Sequence, residues 1–482
     1  MDTIVAIFNY PFFYWLLVAL YFFSIISTIV VVLSENRNPV KSLAWVTILI
    51  LLPMAGLIIY IFFGRSIKNT RMISRRQKRR LLKNEAFRKI DYPKLDAALT
   101  PESVQQICLT HSLTGASFYP GNSVEIFTNG KEKFDAMIAD LWAAEKYIHL
   151  QYYIFENDAI GDQIKDILIK KAYQGVKVKV IYDHVGCLKV PNSFFNKMKE
   201  AGIEIYPFFK VTFPIFATRI NWRNHRKLCI IDGNVGYIGG MNIADRYING
   251  GKFAKWRDTH LRITGPAISA LQYSFAVDWS FMGRPLVEED IYQTNSKDAI
   301  GVGMQMATCG PTSQWPNLAF IFQKAISNAK KRIYIQTPYF LPTENLLRTL
   351  QTAALAKVDV RIMLPRHSDS KIMTHASFSY IEQCAQAGIK FYLYNSGMLH
   401  SKTIIVDDEF STVGSTNFDF RSFEHNFEGN MFMYSREVNA QLAEIFAEDQ
   451  KECTRINILH WRKRPLIDKA LESVLRLLSP IL

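Results

Sequence analysis

Two octets in the sequence share the pattern His, any residue, Lys, four residues, Asp. "HRKLCIID" occupies residues 225–232 and "HSKTIIVD" occupies residues 400–407. A lysine ammonium donates hydrogen bonds to phosphate oxygens, and a histidine near its ordinary pKa can be a nucleophile or a general acid. Lysine is not a usual metal ligand, and His-x-Lys lacks the spacing of zinc or iron sites. The octets therefore predict phosphate chemistry with no metal and no other cofactor.

Each octet is expected to begin at a reactive site and to end at a turn. In an extended strand, residues two positions apart point to the same face, so the His and Lys of each octet project together. The four apolar residues that follow would continue the strand into the core, and the Asp would close it as a support for the site. The six candidate catalytic residues are His225, Lys227, Asp232, His400, Lys402 and Asp407.

A small-residue turn follows each octet, and an acidic residue follows each turn. The turns are "GGMN" at 239–242 and "GSTN" at 414–417, and the acids stand in "WRDTH" and "HNFEGN". Small residues let backbone amides approach an anion, and an Asn amide donates to phosphate oxygens. An acid can fix the tautomer of a neighbouring histidine. The predicted phosphate-binding and supporting residues are Gly240, Asn242, Asp258, Ser415, Asn417 and Glu428.

The octets lie at matching points of an internal repeat. "KYIHLQYYIF" in the first half corresponds to "KRIYIQTPYF" in the second, and "AGI" recurs before each octet. Short apolar runs alternate with helical stretches, which predicts βαβ units around a buried parallel sheet. We expect two α/β lobes, residues 106–290 and 291–460, packed face to face. An aromatic-rich insert at 207–224 suits either the lipid headgroup region or its own lobe.

The N-terminal segment, residues 1–64, contains two uncharged apolar runs at 11–33 and 42–64. Each exceeds the roughly 20 residues that a helix needs to cross a bilayer. No basic stretch precedes the first run and no small-residue cleavage site follows it, which argues against a signal peptide. The sequence therefore predicts a hairpin of two transmembrane helices.

A basic linker is expected at residues 65–105. Its first part, "RSIKNTRMISRRQKRR", carries eight Lys or Arg residues and no acid, in a chain of formal charge +14. Positive charge beside a transmembrane helix favours the cytoplasmic side. We therefore expect a multi-pass protein of the cell membrane with cytoplasmic lobes, and an anionic membrane surface as a partner.

The C-terminal segment, residues 461–482, is predicted to form an amphipathic helix. Apolar residues recur at helical spacing from Leu466 onwards, and charged residues fall largely on the opposite face. Such a helix either packs on the second lobe or lies in the membrane interface.

The doubled motif HxKx4Dx6G[GS]xN, spanning 225–242 and 400–417, resembles the phospholipase D superfamily. With the two N-terminal spans, "YYIFENDAIG" and "QTPYFLP", the chain resembles the bacterial cardiolipin synthases. The resemblance implies two phospholipase D-like α-β-α lobes packed as a pseudo-dimer. It also implies reversible transfer between two phosphatidylglycerol molecules, giving cardiolipin and glycerol through a phosphatidyl-histidine. By analogy, His225 is expected to be the nucleophile and His400 the acid and base, although the reverse is chemically plausible.

Other functions of the same superfamily stay open at this point. A hydrolytic phospholipase D would use water as acceptor, and another phosphatidyltransferase would use serine, ethanolamine or glycerol. A phosphodiesterase or nuclease is disfavoured by the predicted membrane hairpin, so we expect no nucleic-acid partner. A scaffold without activity is disfavoured by two intact octets. The sequence leaves open whether the chain forms a homo-oligomer.

Overall fold

The computed structural model describes residues 11–34, 39–60, 67–68, 70–81, 99–211, 221–285 and 301–477. The chain divides into two compact units, one of residues 1–67 and 211–221, the other of residues 68–210 and 222–482. Residues 212–220 of the predicted insert at 207–224 lie outside the described residues. The same holds for much of the basic linker, the expected junction between the lobes, and the last five residues.

In the first unit, one described helix is long and apolar enough to cross a membrane. Helix α1 is Pro11–Ser34, and its candidate span is Pro11–Val30. The second apolar run is divided into α2, Pro39–Leu51, and α3, Pro53–Ile59, because a proline has no amide hydrogen for the carbonyl four residues earlier. Residues 61–64 of the predicted second span lie outside the described residues. The two-helix transmembrane hairpin therefore stays a prediction.

The helices of this first unit pack on one another through a small cluster. Val32, Leu49 and Tyr60 are buried together, and the ring of Trp45 meets that of Tyr60 edge-on at 5.2 Å. Several aromatic side chains of α1 remain exposed, among them Phe12 at 71 %. A helix with an exposed apolar surface of this kind suits an apolar solvent.

The second unit is a mixed α/β structure. Its helices are α4 Arg75–Leu81, α5 Pro101–Thr114, α6 Gly130–Ala143, α7 Ala159–Tyr173, α8 Asn192–Glu200, α9 Arg246–Asn249, α10 Ile268–Phe281, α11 Asn317–Asn328, α12 Glu344–Leu355, α13 Lys371–Phe378, α14 Ile381–Gln386, α15 Phe420–Glu424, α16 Arg436–Lys451, α17 Ile458–Arg462 and α18 Leu466–Leu477. Its strands are β1 Tyr119–Phe127, β2 Tyr147–Tyr152, β3 Lys177–Asp183, β4 Glu204–Phe208, β5 Leu228–Ile231, β6 Val235–Gly239, β7 Trp256–Arg257, β8 His260–Thr264, β9 Val302–Cys309, β10 Arg332–Gln336, β11 Phe340–Leu341, β12 Asp359–Pro365, β13 Lys390–Tyr394, β14 Met398–Leu399, β15 Thr403–Val406, β16 Phe410–Gly414, β17 Phe418–Asp419, β18 Glu428–Tyr434 and β19 Cys453–Arg455.

Fifteen of the described strands form one sheet in the order β19-β13-β12-β10-β15-β16-β18-β9-β1-β8-β6-β5-β2-β3-β4. The sheets of the two repeats join edge to edge through the antiparallel pair β1 and β9. Strand β6 also contacts β16 and β18 across the repeats, and the expected face-to-face packing stays a prediction. The prediction of parallel strands is correct for β2-β3-β4 and for β10-β12-β13. It is wrong for the octet strands β5 and β15, which run antiparallel to both neighbours. Each octet strand enters the next strand through a tight turn, and only antiparallel strands can be joined in that way.

Helix α5 packs against the second repeat although it precedes the first in sequence. Ile107 lies in the same hydrophobic cluster as Ile321, and the Gln106 side-chain amide donates to the Ile321 carbonyl at 2.9 Å. The hydroxyl of Thr100 donates to the Glu409 carboxylate at 2.5 Å. The expected start of the first lobe at residue 106 thus falls inside a helix of the other repeat's core, and the division into lobes stays a prediction.

The Asp that ends each octet anchors the start of the neighbouring strand. The Asp232 carboxylate accepts hydrogen bonds from the amides of residues 145–147, at 2.7 to 2.8 Å. The Asp407 carboxylate accepts in the same way from the amides of residues 330–332. Both Asp residues have positive φ, 52° and 48°, a conformation that Asp tolerates better than most residues. These carboxylates satisfy backbone amides at the first residues of β2 and β10.

We predict that Asp407→Ala lowers the free energy of unfolding by about 3 kcal/mol, because it removes a charged acceptor from three amides. The adjacent Asp408→Ala is the matched control. Asp408 is itself exposed and forms ion pairs with the exposed Lys331 and the half-buried Arg332, so its loss should cost less than about 1 kcal/mol. Chemical denaturation of the two detergent-solubilised variants measures the difference. Equal destabilisation by both substitutions would contradict the anchoring role.

Candidate active site

Extended segments from the two repeats pair with each other in front of the octets. Asn224 forms a parallel bridge with Phe427, and the His225 amide donates to the Phe427 carbonyl at 2.9 Å. Strand β14 pairs in parallel with β7, and the His400 amide donates to the Arg257 carbonyl at 2.7 Å. The segment before the histidine of each octet thus runs beside the segment before the acidic residue of the other repeat.

The first histidine is bonded to the acid of the second repeat. His225 Nδ1 lies 3.0 Å from both carboxylate oxygens of Glu428 and 3.1 Å from the Ser415 carbonyl. The Glu428 carboxylate also accepts from the Ser415 hydroxyl and from the Asn426 amide group. With Nδ1–H donating to Glu428, the lone pair of His225 resides on Nε2, the atom then able to attack phosphorus.

The second histidine is bonded to the acid of the first repeat. His400 Nδ1 lies 2.7 Å from Asp258 Oδ2, and the other oxygen of Asp258 accepts from the Thr259 amide at 2.8 Å. Lys402 Nζ lies 2.8 Å from the same His400 nitrogen and donates to the His400 carbonyl. Asp258 and Glu428 were predicted to orient a histidine, and in the structure each is hydrogen-bonded to the histidine of the other repeat.

The Gly240 and Ser415 positions differ because the two acids differ in length. A Cβ atom at Gly240 would lie 2.0 Å from Asp258 Oδ1. At the matching position, the Ser415 side chain fits and its hydroxyl bonds the longer Glu428 side chain. The shorter acid therefore occupies space that a side chain at position 240 would require.

Burial sets the protonation of both histidines. It lowers the pKa of His225 to about 4, although the nearby Glu428 opposes the shift. Burial, followed by the charge of Lys402, lowers the pKa of His400 from its ordinary value, with Asp258 opposing. Both imidazoles are therefore predominantly neutral at neutral pH when the cavity holds no anion.

The remaining charged groups of the site balance one another. Burial lowers the pKa of Lys227 to about 7 and that of Lys402 to about 8, against the two nearby acids. Burial alone would raise the pKa of Glu428 and of Asp258. The histidine and lysine near each acid outweigh that effect, so both pKa values lie below the ordinary range. Two ionised carboxylates thus stand close to two lysines.

One cavity of about 680 Å³ contacts both histidines, a size suited to a small ligand or lipid headgroups. Its lining includes four basic residues as well as aromatic and acidic ones. The lining residues are Tyr153, Ile154, Arg223, His225, Asn242, Arg246, Tyr247, Gly251, Lys252, Trp256, Tyr339, Asp369, Met373, His400, Asn417, Asp419, Arg421 and Asn426.

Of the other predicted site residues, the two asparagines line this cavity and the two octet aspartates do not. Asn242 lines it, but its side chain accepts from the Ile154 amide and donates to the Tyr247 hydroxyl, so it also braces the wall. Asn417 lines it too, and its Oδ1 atom is buried without a hydrogen bond. Asp232 and Asp407 are separated from the histidines by the length of the octet, about 20 Å of extended chain. Their hydrogen bonds to strand amides support the fold.

Two buried Arg–Asp pairs hold the extended segments that pair in front of the octets. Neither pair was predicted from the sequence. Arg226 is paired with Asp278 and donates to the Glu428 carbonyl at 3.0 Å. Arg257 is paired with Asp449 and donates to the Asp258 carbonyl at 2.7 Å. Gln151 and Gln336, at matching points of the repeat, donate to Asp278 and Asp449 respectively. The matched glutamines are the sequence feature that could have indicated these pairs. The two arginines could not, because they occupy non-equivalent positions of the repeat.

Aromatic residues beside the histidines were also missed. The ring of Tyr153 meets that of His225 edge-on at 5.0 Å, and Trp256 lies 5.5 Å from His400. Among the residues that the structure describes, no group of three His, Cys, Asp or Glu side chains is arranged to hold a metal ion.

Comparison with known proteins identifies the class to which this site belongs. A family model described as "Cardiolipin synthase, PLD-like domain" matches residues 137–279 and 322–450, and one described as "Phospholipase_D-nuclease N-terminal" matches residues 19–65. A solved phosphatidylserine synthase of Haemophilus influenzae Rd KW20 superposes with a TM-score of 0.59, covering 78 % of this chain and all of that one. At 13 % identity this likeness concerns the fold alone.

Curated relatives extend the match to nearly the whole chain. The major cardiolipin synthase ClsA of Bacillus subtilis (strain 168) is 38 % identical over 479 residues, covering 97 % of this chain and 99 % of that protein. Cardiolipin synthase 2 of Bacillus anthracis is 38 % identical over 461 residues, covering 94 % and 89 %. The chain therefore belongs to the bacterial cardiolipin synthases, which are phosphatidyltransferases of the phospholipase D superfamily. The resemblance noted in the sequence is confirmed.

We predict that Gly240→Ser lowers the transfer rate about a hundredfold, because the new Cβ displaces the Asp258 carboxylate from His400. Ser415→Ala is the matched control. It removes one hydrogen bond to Glu428 without adding an atom, and should cost about tenfold or less. Rates on phosphatidylglycerol in detergent micelles measure both variants. A Gly240→Ser protein as active as wild type would contradict the steric coupling of these two positions.

Proposed function

We propose that the chain transfers a phosphatidyl group from one phosphatidylglycerol to another, with both octet histidines acting in turn. The observation that carries this proposal is the pair of buried imidazoles on one cavity, each bonded to an ionised acid. An imidazole bonded through Nδ1 to an acid is held in the tautomer that presents Nε2, as in a catalytic triad.

In the first step, His225 Nε2 attacks the phosphorus of the donor lipid. The bond from phosphorus to the glycerol headgroup oxygen breaks, and His400 gives that oxygen a proton, so that glycerol leaves and a phosphatidyl-histidine remains. The burial-lowered pKa of His400 does not prevent this role. An anionic phosphate bound beside the ring favours the imidazolium, as Asp258 already does.

In the second step, a second phosphatidylglycerol provides the acceptor hydroxyl. Neutral His400 takes the hydroxyl proton, the oxygen attacks phosphorus, and the bond from phosphorus to His225 breaks to release cardiolipin. His400 is again protonated for the next cycle or for reversal. We assign to Lys227 and Lys402 the neutralisation of charge that develops on the phosphoryl oxygens. The support is that each ammonium group donates to the backbone carbonyl of the octet histidine two residues earlier, directly behind the cavity lining.

The assignment of roles to the two histidines is supported by their surroundings. Burial lowers the pKa of His225 to about 4, which keeps its lone pair available for attack. His400 has the closer acid, at 2.7 Å against 3.0 Å for His225, which favours a ring that gains and loses a proton. This supports His225 as nucleophile and His400 as acid and base.

Two phosphate groups enter the cavity in this reaction, one from each lipid. Arg223, Arg246, Lys252 and Arg421 line the cavity in addition to the octet residues. Such a basic lining suits an anionic acceptor lipid better than it suits water or neutral glycerol. This supports transfer to phosphatidylglycerol over hydrolysis.

We further propose that the two repeats act as a pseudo-dimer of phospholipase D-like lobes on the cytoplasmic face of the cell membrane. The apolar helix α1, the family match over 19–65, and the basic stretch after it support a multi-pass anchor beside an anionic surface.

Incubation of the purified full chain with radiolabelled phosphatidylglycerol alone tests the reaction. The proposal predicts labelled cardiolipin with release of one glycerol per cardiolipin. Phosphatidic acid as the main product would instead show a hydrolase, and no turnover would favour a scaffold.

We predict that His225→Ala and His400→Ala each lower cardiolipin formation by more than about a hundredfold while the protein stays folded.

A phosphatidyl ester of p-nitrophenol separates the two histidines, because its leaving group departs without a proton. After denaturation in neutral sodium dodecyl sulfate, which preserves the acid-labile bond from phosphorus to histidine, we expect label on the His400→Ala protein and none on the His225→Ala protein. Label on His225→Ala but not on His400→Ala would reverse the assignment of nucleophile.

A further inference from the structure

Helix α18, the last described element of the chain, turns its apolar side to solvent. We define the C-terminal apolar surface as Leu466, Ile467, Leu471, Val474 and Leu477, whose exposed fractions are 82, 77, 44, 58 and 78 %. Ala470 and Ser473 complete the exposed face, which carries no charged side chain. A helix of a soluble domain buries its apolar stripe in the core, so this orientation is inverted.

The charged side of the same helix fastens it to the protein. Glu472 is 4 % exposed, and its carboxylate forms two hydrogen bonds with Arg464, at 2.6 and 2.9 Å. The Arg464 guanidinium lies 3.5 Å from the centre of the Trp461 ring, and Lys469 donates to the Arg462 carbonyl at 2.5 Å. These polar contacts, centred on the buried Glu472 carboxylate, fix which side of α18 faces outwards.

The helix lies beside the wall of the catalytic cavity. It packs against α13, and one residue of α13, Met373, lines the cavity. The rings of Trp461 and Phe378 meet edge-on at 5.4 Å, and the Arg476 guanidinium lies 4.6 Å from the centre of the Tyr380 ring. A partner that covers α18 would therefore stand beside a helix that contributes to the cavity wall.

We propose that the C-terminal apolar surface docks in the interface of the lipid bilayer and brings the catalytic cavity to the headgroups. This inference rests on the proposed transfer between two membrane lipids, whose headgroups must enter the cavity while their chains stay in the membrane. Exposed basic residues, Arg462 and Lys463, stand just before the helix, and basic charge beside an apolar face attracts anionic lipid.

The size of the surface favours a bilayer over a second copy of the chain. A helix of 12 residues is about 18 Å long. One side of such a helix offers a few hundred square ångströms at most, whereas specific protein interfaces bury roughly 1,200 Å² or more in total. A bilayer needs no matching shape, and apolar side chains contribute to insertion one by one.

The test compares transfer by the full chain in two lipid environments. The variant Leu466→Gln/Ile467→Gln/Val474→Gln removes apolar side chains from the surface while keeping good helix formers. The matched control Tyr173→Gln/Leu188→Gln/Leu355→Gln changes three exposed apolar residues elsewhere, which are 74, 62 and 63 % exposed. Cardiolipin formation is measured in reconstituted vesicles of phosphatidylglycerol and phosphatidylcholine and in detergent micelles, together with the thermal unfolding midpoint.

We expect the surface variant to lose about tenfold of its rate on vesicles, to stay within about twofold of wild type in micelles, and to unfold at the same temperature. The control should match wild type in both environments. An unchanged vesicle rate, or an equal loss in vesicles and micelles, would overturn the proposal. So would a wild-type dimer that the surface substitutions dissociate, measured by light scattering. Failure of the proposed transfer itself is separable, because it would appear as phosphatidic acid formed by wild type in micelles.

Discussion

The structure of this site depends on the pairing of two fully buried carboxylates with imidazoles from the opposite repeat. Glu428 and Asp258 have no access to solvent, so each stays ionised only because a histidine and a lysine lie beside it. Because His225 bonds Glu428 and His400 bonds Asp258, neither repeat completes its own site. The edge-to-edge sheet and the paired segments before the octets hold the two halves in the register that this crossing requires.

The two halves of the site are similar without being equal, and this inequality suits a reaction with two different steps. The longer acid, Glu428, contacts Ser415, whereas the shorter acid, Asp258, contacts Gly240. The size of the residue at this position is therefore matched to the length of the acid in each half. A nucleophile needs a ring that stays neutral before attack, whereas an acid and base needs one that exchanges a proton. The proposed division of roles rests on the different environments of the two imidazoles within one duplicated fold.

Sequence patterns predicted features that recur at matching positions of the two repeats. They did not predict the contacts that form between the repeats. The doubled octets indicated both histidines, and the alternating pattern indicated a mixed α/β chain with parallel strands such as β2 and β3. Periodicity says nothing about which acid meets which histidine, because that depends on how two sheets join. Arg226 and Arg257 were not predicted for the same reason. Each pairs with a buried Asp, but the two arginines occupy non-equivalent positions of the repeat. The outward face of α18 was equally undetermined, because amphipathic spacing does not say which side is buried.

The most direct test of the crossed pairing is to trap the phosphatidyl-enzyme by neutral detergent denaturation in Glu428→Gln and Asp258→Asn, with the nitrophenyl ester as donor. If each acid serves the histidine of the other repeat, Glu428→Gln should fail to take up label, as His225→Ala does. Asp258→Asn should take up label and fail only in transfer from natural phosphatidylglycerol, as His400→Ala does. The opposite pattern, with Asp258→Asn unlabelled and Glu428→Gln labelled while His225→Ala is the unlabelled histidine variant, would contradict the crossed arrangement.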